Sequence, residues 1–328
     1  MQVLRSIAEL TEVPGPVFLA IGVFDGVHLG HQAVIRRAME DAAKVGGSAV
    51  VVTFDPHPMR VLRPGHAPRL LTSTAHKTAL LAGLGVERLL VIPFTMEFAA
   101  TPPADFVHAL HAACQPLREI CVGHTWSFGK GRAGNLELLR AMGDQLGFDE
   151  VGLPAVEAEG EIVSSTLIRA SVEEGDLAKV ERLLGRPFSI LGTVKHGDHV
   201  GRSIGFPTAN LSAHNEQFPP NGVYAVEALL AGEGDHRRGG VVNIGVRPTV
   251  HEHSQRHLEL HLFDFNEDLY GRDVEVIFRR FLRPEQKFPD LDTLKAQIAR
   301  DAETAREELR NADCGLRREG RSRAGEEK

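Results

Sequence analysis

The period of hydrophobic and polar positions changes near residue 185. Before it, short apolar runs at Val17–Phe24, Ser48–Phe54, Arg88–Phe94 and Glu119–Val122 fit strands buried on both faces of a parallel sheet. Helical period lies between them: Val34, Ala38, Ala42 and Val45 in the stretch from His31, then Thr74–Gly83 and Ala104–Ala113. Strand and helix in alternation predict an open α/β sheet whose ligands gather at the carboxyl ends of its strands. The segment "GDLAKVERLLG" predicts a helix capped by Asp176, striped by Leu177, Val180, Leu183 and Leu184, and ended by Gly185. Beyond it, Ile190–His196, Val223–Leu230, Gly239–Ile244, Leu258–Phe265 and Val274–Phe281 are strand-like, with Gly- and Pro-rich turns between them. With no helix between, they predict an antiparallel barrel or sandwich. A closing helix follows, about Leu291 to Leu309, with Leu291, Leu294, Ile298, Ala302, Ala305 and Leu309 on one face. These patterns divide the chain into 1–184, 185–311 and a charged, aperiodic tail at 312–328 that is expected to be disordered.

Composition narrows the class of protein. A chain of 328 residues, 42% hydrophobic and 25% charged, has enough material for two cores. Its net charge of −7 argues against a protein that coats nucleic-acid backbones. Three cysteines, Cys114, Cys121 and Cys314, show no zinc-like spacing and point to a reduced setting. No run approaches transmembrane length, so a cytoplasmic enzyme with no nucleic-acid or membrane partner is expected. Oligomeric state has no signature in the sequence.

The chemistry-bearing stretches sit at the predicted junctions. In "IGVFDGVHLGHQAV", His28 and His31 fall at a strand-to-helix turn. Backbone N–H groups and the helix dipole favour an anion there, while Gly26 and Gly30 admit a ligand to the backbone. Two imidazoles beside such a pocket can donate to a phosphate in a charge-rich transition state. The competing reading is a turn that merely contains histidine. In "VSSTLIRASVEEG", Ser164, Ser165, Thr166 and Arg169 open another helix, either as a second phosphate grip or as an ordinary N-cap. In "RHLELHLFDF", His257, Glu259 and His261 share one face of a strand. Such a face can be merely solvated, can hold zinc through His251, His253, His257 and His261, or can bring a carboxylate to a hydroxyl whose proton it takes.

The H-x-G-H turn joined to a later Ser/Thr-rich turn resembles the nucleotidyltransferase superfamily. More closely, "GVFDGVHLGHQ", "TFDPHP", "FGKGRAG" and "SSTLIR" resemble the N-terminal half of the bacterial bifunctional riboflavin kinase/FMN adenylyltransferase (FAD synthetase) family. "GRSIGFPTANL", "FPPNGVYAV", "NIGVRPT" and "FLRPEQKF" resemble its kinase half. The resemblance implies a Rossmann-like nucleotidyltransferase domain, then an antiparallel β-barrel riboflavin kinase domain with a C-terminal helix. It implies ATP-dependent conversion of riboflavin to FMN, and of FMN to FAD with release of pyrophosphate.

By the same resemblance, Gly22, Phe24, Asp25, Gly26, His28 and His31 hold ATP, and Ser164, Ser165, Thr166 and Arg169 the departing pyrophosphate. Gly205, Pro207, Thr208 and Asn210 would hold ATP in the kinase half, with Thr208 and Asn210 as Mg2+ ligands. Glu259 would take the proton of the riboflavin 5′-hydroxyl, and Asn243, Arg247, Thr249, Arg283 and Glu285 would meet the flavin. Two features depart from the family pattern: Thr125 and Trp126 in "GHTWSFG", and Leu167 where an arginine is common. Loss of one charged hydrogen bond is worth about 1.5–3 kcal/mol. The alternatives are therefore a riboflavin kinase whose N-terminal half is weakened, inactive or specific for another nucleotide, and a non-catalytic flavin- or nucleotide-binding regulator.

Overall fold

The central apolar run of the N-terminal half, Val17–Ile21, is buried at all five positions and forms the middle of a sheet. The computed structural model describes residues 1–195, 206–246 and 256–323, without the side chains of 246 and 312–323. It divides into two units: Met1–Ile168 with Leu183–Gly185, and Arg169–Arg182 with Arg186–Lys328.

In the first unit, strands β1 (Gln2–Leu4), β2 (Val17–Ile21), β3 (Ser48–Asp55), β4 (Arg88–Pro93), β5 (Leu117–Gly123) and β6 (Asp149–Leu153) form one parallel sheet. Helices α1 (Leu29–Lys44), α2 (Pro58–Leu62), α3 (Thr74–Gly83), α4 (Met96–Ala99), α5 (Pro103–Ala113) and α6 (Leu136–Leu146) connect them. The period of two in β2 puts Val17, Leu19 and Ile21 in a core shared with Phe106, Leu110 and Leu139 of α5 and α6. Phe18 and Ala20 face the other side, against Ile35 and Ala38 of α1 and Leu81 of α3.

Strand order β1-β4-β3-β2-β5-β6 sends the chain from β2 toward β4, then back to β5 on the other side of β2. The carboxyl ends of β2 and β5 thus flank a topological switch point, where open α/β sheets bind ligands. The expected strand Val17–Phe24 ends early, at Ile21. Phe24, Gly26 and Val27 take positive φ values of 51°, 87° and 45°, which no strand accommodates. A hairpin of β7 (Glu157–Ala158) and β8 (Glu161–Ile162) precedes α7 (Ser165–Glu174) and α8 (Leu177–Leu184). Asp176 caps α8 as expected, accepting from the Lys179 N–H at 2.9 Å.

In the second unit, β9 (Ser189–Lys195), β10 (Ala209–Ala213), β11 (Gly222–Leu230), β12 (Arg237–Val246), β13 (Arg256–Leu262) and β14 (Asp273–Arg283) close into a barrel in the order β10-β13-β12-β11-β14-β9. It is a barrel and not a sandwich because β9 pairs with both β10 and β14, which leaves no edge. Strand β10 escapes the hydrophobic pattern, since Leu211 is its one fully buried residue. Along β13, Leu258, Leu260 and Leu262 fill the barrel, while His257, Glu259 and His261 lie half-buried on its outer face.

The closing helix, α9 (Leu291–Arg323), packs through Ala305, which is fully buried, and through Asp301 at 6% exposure. Leu291, expected on that face, is exposed. The helix also runs past Leu309 into the stretch expected to be disordered. Apolar periodicity reports the packed face of a helix and not its end, so the pattern stops at Leu309 while the helix does not.

Candidate active sites

The loop after β2 is held on several sides. Asp25 is buried, and its carboxylate accepts from the N–H groups of Leu71 and Thr72 at 3.3 and 3.0 Å and from the Thr72 hydroxyl at 3.2 Å. Thr72 Oγ1 in turn accepts from the Gly26 N–H at 3.0 Å. Asp25 thereby acts as a clamp on the Leu71–Thr72 segment. Gly26 is needed twice over, by its φ and because a Cβ there would stand 2.9 Å from Leu71 Cδ1.

His28 caps α1, its Nδ1 accepting from the His31 N–H at 3.3 Å. A ring nitrogen that accepts carries no proton, so the His28 proton is on Nε2. The two imidazoles stack with centroids 3.5 Å apart, and Phe24 meets His31 edge-on at 5.3 Å. The second candidate segment reaches this loop directly, since the Ser165 hydroxyl donates to the Asp25 carbonyl at 2.9 Å. Ser164 caps α7 through the Leu167 N–H at 3.2 Å. Gly22, Phe24, Asp25, Gly26, His28, His31, Ser164 and Ser165 are therefore gathered at one place, with Thr166 exposed beside them. Arg169 belongs to the second unit, where its carbonyl accepts from Gln217 at 3.3 Å.

After β5, the departures from the family pattern have a definite setting. Trp126 stacks on Phe128 at 4.3 Å, and Thr125 is exposed. Phe128 continues through Phe106 and Phe98 to Phe94 and Phe54, with centroid spacings between 5.6 and 6.1 Å. An aromatic wall thus stands at the carboxyl end of the sheet, a feature the motifs alone did not signal.

The barrel assembles its candidates by strand register. Glu259 on β13 lies opposite Asn210 on β10 and opposite Asn243 on β12. One rung on the outer face therefore carries Asn210, Glu259 and Asn243, from segments remote in sequence. Lys195 extends it, paired with Asn210 from β9. Below the rung, His261 Nδ1 lies 2.9 Å from the Pro207 carbonyl. A carbonyl only accepts, so that nitrogen carries the proton and holds the Pro207–Thr208 segment. A cavity of about 80 Å3 opens beside it, lined by Pro207, Thr208, Leu260, Phe265 and Tyr270.

Arg283 is engaged elsewhere. Its Nε lies 3.0 Å from both Asp301 oxygens and its Nη2 2.7 Å from Oδ2, while Nη1 donates to the Pro284 carbonyl at 3.0 Å. Gln297 completes the site of Asp301 at 2.8 Å. Arg283 thus ties the loop after β14 to α9, and Asp301 is a residue the sequence reading missed. Glu285 lies over Gly245, where any Cβ would collide with its carboxylate, and accepts from Asn221 at 3.5 Å. Gly205, Arg247 and Thr249 lie outside the described residues, as do His251 and His253. Among the described residues no three His, Cys, Asp or Glu side chains gather to hold a metal.

A parallel sheet with an irregular two-histidine loop at its switch point, followed by a closed antiparallel barrel with a carboxylate rung on its outer face, fits a two-part transferase: a nucleotidyltransferase unit and a kinase unit. Family models agree: FAD synthetase matches residues 10–167 and riboflavin kinase residues 184–309. The chain belongs to the bifunctional riboflavin kinase/FMN adenylyltransferase family. It is 42% identical to the protein of that name from Escherichia coli (strain K12), over 94% of this chain and 97% of the other. Identity is 39% to that of Pseudomonas fluorescens, over 93% and 97%, and 37% to that of Bacillus subtilis (strain 168), over 88% and 90%. A solved structure titled as a macrolide-efflux protein from Streptococcus pneumoniae is similar at a TM-score of 0.78 and 30% identity, over 93% of this chain and 99% of that one. Among the described residues of this chain, no helix is long and apolar enough to cross a membrane.

Proposed function

We propose that this chain phosphorylates riboflavin to FMN with one ATP and adenylylates FMN to FAD with a second, releasing pyrophosphate. The reading assigns residues 1–184 to adenylyl transfer and 185–311 to phosphorylation. Its setting is the cytoplasm, with riboflavin, FMN and ATP as its partners and neither nucleic acid nor membrane among them. The observation that carries it is that each unit gathers a cluster of its own: His28, His31 and Ser165 on the sheet, and the Asn210–Glu259–Asn243 rung on the barrel.

In adenylyl transfer the FMN phosphate is already a nucleophile at neutral pH, so no base is required. Catalysis reduces to alignment and to stabilising charge on the nucleotide phosphates. His28 can donate from Nε2 in its present tautomer, and His31 lies against it. Ser164, Ser165 and Thr166 are assigned to the departing pyrophosphate. Trp126, Phe94 and Phe98, the partly exposed members of the aromatic wall, offer flat apolar faces suited to an isoalloxazine ring.

In phosphorylation, Glu259 takes the proton of the 5′-hydroxyl as that oxygen attacks the γ-phosphate. Thr208 offers a hydroxyl and Asn210 an amide oxygen on the side of the barrel that bears Glu259. These hard donors fit magnesium and not a soft metal. Magnesium, when bound, would neutralise charge on the ATP oxygens. Asn243 and Glu285 are assigned to the flavin, together with Arg247 and Thr249, while Arg283 shapes the loop that carries Glu285.

Incubation with riboflavin, ATP and magnesium, followed by separation of the flavins, tests the reading. FMN followed by FAD is expected. FMN without FAD would remove the adenylyltransferase assignment, and neither product would remove both.

A further inference from the structure

Lys77 has no role in the chemistry above, yet it lies directly beneath the histidine loop. It stands in the first turns of α3, four residues before Leu81, where the helical period calls for an apolar side chain. It is 5% exposed. Its Nζ donates to the Val23 carbonyl at 2.6 Å and to the Thr53 hydroxyl at 3.3 Å. Thr53 Oγ1 donates to the same carbonyl at 3.0 Å. Val23 joins the end of β2 to Phe24, the first of the positive-φ residues that turn the chain toward His28 and His31. Two donors from different elements thus converge on the one peptide that sets the loop's departure from the sheet.

The ammonium is held there against its own solvation. Burial pushes its pKa down to about 8, opposed by the charges that face it, Asp25 from the loop and Asp55 from the end of β3. A methionine of similar length would fill the space without that desolvation cost. A buried cation that carries a desolvation cost while gripping the loop is the pattern expected of a residue kept for function.

We propose that Lys77 is a positioning residue for adenylyl transfer: by fixing the Val23 carbonyl, it sets the backbone on which His28 and His31 are presented. This rests on the reading that the loop holds the ATP phosphates.

The test is Lys77→Met in the full chain, assayed with FMN and ATP for FAD and with riboflavin and ATP for FMN. Steady-state kcat for FAD formation is expected to fall at least roughly tenfold, the scale of one misplaced hydrogen-bonding element. Riboflavin phosphorylation should stay within about twofold, and the melting temperature should be unchanged or raised. FAD formation at the parent's kcat overturns the proposal. So does a loss shared by both activities with a lowered melting temperature, which is the signature of a merely structural residue.

Should the variant fail to fold, the parent's pH profile decides. The ratio of FAD-forming to FMN-forming kcat should fall severalfold between pH 7 and pH 9.5 as Lys77 loses its charge, because a charged donor bonds more strongly than a neutral one. A flat ratio overturns the proposal. A parent chain that makes no FAD from FMN at any pH would instead refute the reading of the loop itself.

Discussion

The two units solve the same problem, placing a few polar groups against a nucleotide, by different means. In the sheet unit the groups sit on one irregular loop whose shape is imposed from outside. Asp25 grips Leu71 and Thr72, Ser165 grips the Asp25 carbonyl, and Lys77 grips Val23. In the barrel unit the groups sit on regular strands, and the ladder itself brings Asn210, Glu259 and Asn243 into one rung. A loop site depends on buried braces distant in sequence, whereas a strand site depends on register. Substitutions at braces should therefore damage the sheet site without touching its ligands, while the barrel site should fail chiefly at the rung residues.

The largest effect is expected at the rung. Glu259→Gln keeps shape and removes the base, so kcat for riboflavin phosphorylation should fall about 10³-fold. Riboflavin binding, followed by flavin fluorescence, should persist, and FAD formation from supplied FMN should be unchanged. His31→Ala should lower FAD formation about 10²-fold, measured by separating flavins after FMN and ATP are mixed. FMN formation by the same chain should not move. A comparable loss of both activities in either variant would break the contrast between the units.

A smaller effect sharpens the comparison within the barrel, where one brace does exist. Asp301→Asn removes the charge that meets Arg283 in a two-pronged pair and leaves a mostly buried guanidinium without its counter-charge. The barrel should lose about 3 kcal/mol in chemical denaturation. The KM for riboflavin should rise severalfold through the Pro284–Phe288 loop, with kcat less affected. An unchanged KM would mean that the clamp serves stability alone.

The smallest effect is a pH dependence. Folded Lys77 titrates near pH 8 and the unfolded chain near its ordinary value, so between them the unfolded state binds the extra proton. Stability from this group therefore rises with pH across that window, by about 1.4 kcal/mol per unit at most. Burial pushes the thiols of Cys114 and Cys121 up, which works in the opposite sense above pH 9. Both thiols are present in the parent and in Lys77→Met, so the difference in stability between the two chains isolates the lysine. The gap in favour of Lys77→Met should narrow from pH 8 to pH 10 in urea denaturation.

Much of this was legible in the sequence, and what escaped has physical reasons. Apolar runs gave the strands of the sheet because a doubly buried strand admits little else. Alternation in β13 placed Glu259 beside His257 and His261 correctly. Register was not legible: nothing local in "PTANL" or "VVNIGV" says that Asn210 and Asn243 meet one glutamate. Lys77 was hidden because a lysine on a helix reads as solvated, and its partner Val23 lies 54 residues away. Its signal was position, one turn before Leu81 on the apolar stripe. Asp301 carried a similar signal, an acid on the seam between Ile298 and Ala305. Arg283 was read as a flavin contact because its segment matched a motif, and nothing in that motif signals that its Nε and Nη2 meet an aspartate 18 residues on.

The central claim is that two self-sufficient sites lie on one chain, one per unit. Complementation tests it most directly: Glu259→Gln and His31→Ala proteins are mixed with riboflavin, ATP and magnesium, and FAD is measured. Each variant alone should form at most traces of FAD from riboflavin, and the mixture should form it readily as FMN made by one is adenylylated by the other. A mixture that forms no more FAD than either variant alone would contradict the claim.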